Sequence, residues 1–179
     1  SYTPPTPSFT GTKVFENYDL NELRTFIDWK PFFITWEMHG NFPAILTDEV
    51  VGTEATKLYN DANALLDKII AEKWLTAKGV IGFWEAASNN DDVEVRTENE
   101  KVQLSFHRQQ IKKAPGQPNL SLADFISPTT ANQKDHIGAF AVSIHGIEPH
   151  LEKFEAAHDD YNKIMLQALA DRFAEAFAE

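Results

Sequence analysis

Ile27-Asp28-Trp29-Lys30-Pro31-Phe32-Phe33-Ile34-Thr35-Trp36 is the stretch from which this chain is best read. Six of the ten residues are Ile, Phe or Trp, and one carboxylate stands in front of the first Trp. Proline lacks the amide proton a helix interior needs and pushes the residue before it toward extended backbone. The segment is therefore expected to be irregular, with Asp28 presented beside a buried aromatic cluster. A carboxylate in that setting is either tied to backbone donors or held for a cationic ligand.

Upstream, Asp19-Leu20-Asn21-Glu22 has the spacing of a capped helix start, predicting a short helix to about Phe26. Residues 1–12 carry Pro4, Pro5 and Pro7 and read as a linker or extended arm, with the domain proper over 13–179. Downstream, Leu46 to Gly52 predicts a turn or short helix. From Thr53 to Trp74 the residues Ala55, Leu58, Tyr59, Ala62, Leu65, Leu66, Ile69 and Ile70 step by three and four, predicting one amphipathic helix.

Gly79 to Ala86 is short and glycine-rich, and reads as a buried strand. Asn89 to Asp92 is a turn cluster. Val93 and Val95, then Val102, Leu104 and Phe106, alternate with polar residues as half-buried antiparallel strands do. Ala114 to Pro118 and Pro128 to Lys134 are loops, and Leu120 to Phe125 is a short turn or helix. Ile137 to Ile144 predicts a second buried strand, whose small residues admit close packing of another backbone.

After Pro149 the apolar spacing of Phe154, Tyr161, Ile164, Met165, Ala168, Leu169, Phe173 and Ala176 predicts one long helix running to Glu179. On it Glu175 projects into the apolar stripe with Arg172 on the same side. An internal Glu175–Arg172 pair explains that, and so does a carboxylate held for a cationic ligand, with Asp171 on the stripe's edge. The expected fold is α+β: a mainly antiparallel twisted sheet with flanking helices and a long C-terminal helix.

Composition narrows the function. A formal net charge of −11 opposes nucleic acid and anionic membrane as partners. The absence of cysteine removes disulfides, thiolate metal sites and thiol nucleophiles, and fits the cytoplasm. No apolar run reaches membrane-spanning length. His145 and His150 are separated by Gly146 and Pro149, His158 lies among Glu155, Asp159 and Asp160, and no metal-binding spacing occurs, so no metal site is expected. Gly79-x-x-Gly82 lacks the basic residue of a phosphate loop. Arg108, Lys112 and Lys113 form the one basic cluster, read as a loop edge. The chain begins without Met and ends with its helical pattern still running, so it is expected to be an excised piece.

Asp28-Trp-x-Pro-Phe-Phe-x-Thr-Trp36 resembles the entry to the activation domain of cobalamin-dependent methionine synthase. Further words follow in order: Phe9-Thr-Gly-Thr-Lys-Val-Phe15, Leu46-Thr-Asp-Glu-Val-Val-Gly52, Arg108-Gln-Gln110, Leu122-Ala-Asp-Phe125, Gly138-Ala-Phe-Ala-Val142, Ala157-His-Asp-Asp-Tyr-Asn-Lys-Ile-Met165 and Ala168-Leu-Ala-Asp-Arg-Phe-Ala-Glu-Ala176. The likeness covers nearly all of Gly11 to Glu179.

It implies a domain that binds S-adenosylmethionine (AdoMet) and presents the methyl group to a cobalamin held by a neighbouring domain. There an electron from a flavodoxin-type donor and the sulfonium methyl group return oxidised cobalamin to methylcobalamin. Any zinc would belong elsewhere in the parent methyltransferase. The resemblance puts the ligand carboxylates on Asp28 and Glu175, faces Asp171 toward the cobalamin domain, and assigns no catalytic residue. It also implies a later Gly-Tyr segment flanked by prolines that these 179 residues do not contain. The chain alone is thus expected to be inactive, to bind ligand weakly, and to self-associate through exposed Phe173 and Phe177. The alternative is a non-catalytic docking module for a cobalamin-binding domain or an electron donor.

Overall fold

A computed structural model describes residues 3–131 and 133–179. The chain forms two compact units, one from Ser1–Lys13 and Val80–Phe140, the other from Val14–Gly79 and Ala141–Glu179. The strands are β1 (Gly11–Tyr18), β2 (Thr76–Asn89), β3 (Asp92–Arg96), β4 (Lys101–Ser105) and β5 (Asp135–His145). The helices are α1 (Leu20–Arg24), α2 (Trp29–Thr35), α3 (Gly52–Ala71), α4 (Glu148–Ala156) and α5 (Asp160–Ala178), with 3-10 turns at Ala44–Thr47 and Leu122–Phe125. The class is α+β. The sheet runs β1-β2-β3-β4, and β5 also pairs with β2.

In the unit containing Val80–Phe140, the alternation of valines is realised as an antiparallel ladder. Ala86 faces Val95 and Asn89 faces Asp92 across β2 and β3, and Val95 faces Val102 across β3 and β4. Asn90 closes the turn at φ 56°, a left-handed position that asparagine tolerates. The buried faces supply Ala86, Val93 and Val95, closed by Ala123 from the second 3-10 turn. On the open face Arg96 binds Glu85 and Glu94 at 3.1 Å each, and Lys101 meets Glu94 at 3.1 Å. Such exposed pairs set register more than stability.

The other unit holds the larger core. Phe32, Phe33, Leu66, Ile69, Met165, Leu166, Leu169 and Phe173 are wholly buried where α2, α3 and α5 pack. The helix read over Thr53 to Trp74 is present over Gly52–Ala71, with Ala55, Leu58, Ala62, Leu65, Leu66 and Ile69 of its stripe buried. Asp19 caps α1 as its spacing predicts, its carboxylate accepting the Asn21 amide at 2.9 Å.

Four expectations need correction. The stretch around Pro31 is helical: α2 starts at Trp29, so Pro31 is its third residue, where no intrahelical amide bond is lost. The Phe9–Phe15 words lead into β1, which the composition of the arm had concealed.

The expected single terminal helix is two. Ala157 ends α4, His158 takes φ 54°, and Asp159 opens α5 by accepting the Asn162 amide at 3.0 Å. Histidine is among the few residues that enter the left-handed region with some ease. Lastly, β5 is not buried as expected. Its Gly138 to Ala141 are exposed, Phe140 by 59%, and Gly138 lies against the ring of Phe83, with the Gly82 carbonyl next to it.

Candidate functional site

Asp28 sits at the N-cap of α2, exposed, and its Oδ1 accepts the Lys30 amide at 3.0 Å. Behind it, Trp29 meets Tyr59 edge-on at 4.7 Å and Phe32 edge-on at 5.3 Å. Phe42 lies over the same cluster, 5.3 Å from Tyr59 and 6.3 Å from Phe33. The apolar residues that surround Asp28 in sequence thus form a rigid platform. The carboxylate at its edge is oriented by one backbone donor and has no cationic partner among the described residues. Asp28 is therefore a helix cap whose second oxygen carries no protein partner among the described residues.

Glu175 and Asp171 lie on α5, which packs directly against α2. Neither is inside the core. The buried arc of α5 is centred on Leu169, with Met165, Phe173 and Ala176 around it, while Ile164 is exposed. At about 100° per residue Glu175 falls just outside that arc and Arg172 inside it. The structure follows this: Glu175 is exposed, whereas the Arg172 side chain is only 12% exposed. The expected Glu175–Arg172 pair does not form. Arg172 turns to Asp171, at 2.6 Å, and Glu175 has no ion pair or hydrogen bond among the described residues.

Phe173 and Phe177 are not the exposed pair that self-association would use. Phe173 is fully buried, and Phe177 packs on Tyr18 at 4.8 Å and Phe15 at 6.4 Å.

A groove of about 420 Å³ opens beside α3 and α5, lined by Asp61, Lys68, Trp74, Phe154 and Tyr161. Sequence reading gave these residues no joint role, since a hundred positions separate the hydrogen-bonded pair Tyr161 and Asp61 (2.8 Å). Burial, then the Asp61 carboxylate, pushes the Tyr161 hydroxyl up to about 12. Trp74 is stacked on His150 at 3.9 Å, with the Lys68 ammonium 5.2 Å from its ring. Burial, then the nearby Lys153 charge, lowers the pKa of His150, which favours the neutral imidazole in the stack.

Arg108, read as part of a basic loop edge, is a clamp. It binds Asp91 at 2.5 Å, Asp124 at 2.7 Å and the Asn119 carbonyl at 2.8 Å. Asp124 in turn completes a capping box with Ser121. Among the described residues no three His, Cys, Asp or Glu side chains converge as a metal site, and no helix is long and apolar enough to cross a membrane.

Residues 19–179 match the family model for the vitamin B12 dependent methionine synthase activation domain. The chain is also similar to a solved structure, the MetH reactivation domain bound to AdoHcy, with a TM-score of 0.90 and 47% sequence identity. That match covers 99% of this chain and 55% of the other, so the chain spans about half the length of that relative.

Proposed function

The chain belongs to the activation domains of vitamin B12-dependent methionine synthase, and from that membership we propose that it binds AdoMet for the reactivation of a cobalamin carried by a neighbouring domain. The observation that supports this most is the state of two carboxylates. Asp28 and Glu175 stand on helices that pack together, both exposed, and neither is neutralised by an Arg or Lys among the described residues. An uncompensated acid at the edge of an aromatic platform, with a second on the helix packed against it, suits a ligand with an ammonium and a sulfonium. In that role Asp28 and Glu175 hold the cationic end of the ligand, and the platform behind Asp28 keeps its carboxylate from moving as the ligand binds. Bound AdoMet would supply the methyl group for the cobalamin. Asp171, exposed at the side of α5, faces the cobalamin domain, its charge shared with Arg172.

The parent protein is then a cytoplasmic methyltransferase of methionine synthesis that takes an electron from a flavodoxin-type donor, and domain 13–179 alone performs no turnover. Calorimetric titration tests the ligand assignment, on the 179-residue chain and on one lengthened by the proline-flanked Gly-Tyr segment. The lengthened chain should bind AdoMet, and the shorter one more weakly. Glu175→Gln should weaken AdoMet more than AdoHcy, because only AdoMet carries the sulfonium charge. Equal losses for both ligands would refute a sulfonium role for Glu175, and no loss for either would remove it from the ligand site.

A further inference from the structure

From Lys101 to Ala123 no Asp or Glu occurs, although 27 are spread over the 179 residues. The same span carries Lys101, Arg108, Lys112 and Lys113, in a chain of net charge −11. It is also where large apolar side chains come to the surface. Ile111 is 63% exposed, Leu122 is 65% exposed, and Phe125, just beyond the span, is 70% exposed.

The loop that carries them is built rather than slack. The Gln109 amide binds the Leu120 carbonyl at 2.9 Å, and Gln109 Oε1 accepts the Leu120 amide at 3.2 Å. Lys113 donates to Gln109 Oε1 and, at 2.8 Å, to the Pro118 carbonyl. Arg108 fixes the base through Asp91, Asp124 and the Asn119 carbonyl.

The clamp settles where the charge goes. Arg108 is neutralised by its two carboxylates, and Lys101 is paired with Glu94. Lys113 bonds only neutral oxygens, and Lys112 has no partner among the described residues. Two uncompensated ammonium groups therefore sit on an ordered loop with Ile111, and Leu122 and Phe125 lie on the adjoining turn that Asp124 ties to Arg108. Exposed apolar side chains bordered by charge of one sign are the anatomy of a protein interface, and the sign selects the partner.

We propose that the loop at residues 109–125 is a docking face for an acidic protein whose contact surface has an apolar centre and a carboxylate rim. In one respect the inference rests on the proposed function: the partner which that reading requires, besides the cobalamin domain, is an electron donor, and this face is assigned to it.

The test uses a flavodoxin of low isoelectric point, loaded with its flavin, titrated against the chain by calorimetry. Wild-type affinity should fall at least tenfold between about 0.02 and 0.3 M salt as the screening length shortens. Lys112→Glu combined with Phe125→Ser should weaken it at least tenfold with an unchanged thermal midpoint, since both side chains are exposed and lie outside the Arg108 clamp. Lys57→Glu on α3, also an exposed lysine, should bind as wild type. Undetectable wild-type binding, salt-insensitive binding, or an equal loss in Lys57→Glu would overturn the proposal. AdoMet affinity, measured on the same proteins, reports on the function reading separately and should not differ between wild type and the Lys112/Phe125 variant.

Discussion

The ring of Phe177 lies over Gly79, so close that a Cβ on Gly79 would come within 2.7 Å of it. Phe177 is itself wedged against Tyr18 and Phe15, so the ring has little room to retreat. Gly79→Ala should therefore destabilise the protein by about 1–3 kcal/mol, the usual cost of overpacking. Phe177→Leu in the same chain should recover part of that loss. Urea unfolding of the two variants and the double measures it, and a fully additive double variant would show that Gly79 does not read Phe177.

The Arg108 clamp makes a prediction in acid. The Arg108 guanidinium, then the Ser121 amide, lowers the Asp124 carboxyl from its ordinary 3.8 to about 2. A carboxyl depressed in the folded state contributes stability that is present above its unfolded pKa and lost as pH falls through the folded one. The window is thus from about pH 4 down to about 2. Asp124→Asn should melt below wild type at neutral pH, and the gap should close across that window. A gap that stayed constant to pH 2 would mean the Arg108–Asp124 bond adds nothing to folding.

How much of this was readable depends on where each signal is written. The stripe of α3 and the alternation of β3 survive in sequence because one periodic face meets one core, whereas on β4 Leu104, read as inward, is 37% exposed and only Val102 is half-buried. Pro31 misled because its effect depends on helix position, and position is set by Asp28 as cap rather than by the proline. The exposure of Gly138 to Ala141 was not legible, since apolar composition says what can be buried and not what covers it. Glu175 was misplaced by a small angular error: taking Ile164 as core rotated the stripe of α5 and brought Glu175 into it. For the same reason Arg172 was paired with the wrong acid. Arg108, Asp91 and Asp124 were each visible, but nothing local says that three residues spread over 33 positions close one loop.

The break between α4 and α5 gives a third test. His158 holds φ 54° on the surface, a conformation that costs a residue with a Cβ roughly 1 kcal/mol and glycine almost nothing. His158→Gly should leave stability unchanged or raise it by up to about 1 kcal/mol. His158→Val should lower it by more than 1 kcal/mol, because a β-branched side chain fits that region worst. If both variants behaved alike in thermal denaturation, the two helices would be joining there without a left-handed residue.

Asp28 has two duties that a pair of substitutions can separate. As the N-cap of α2 it needs only an acceptor oxygen for the Lys30 amide, and asparagine supplies one about as well as aspartate. As a ligand carboxylate it needs its charge. Asp28→Asn should then keep the thermal midpoint, since no cation of the protein is left without a partner. In a binding-competent chain it should lose about 1.5–3 kcal/mol of AdoMet affinity, roughly ten- to a hundredfold. Asp28→Ala should lose both, with about 0.5–2 kcal/mol of stability added to the same loss of affinity. Calorimetry and thermal denaturation on both variants give four numbers. Wild-type affinity in Asp28→Asn, alongside a destabilised Asp28→Ala, would leave Asp28 as a helix cap alone and remove it from the ligand site.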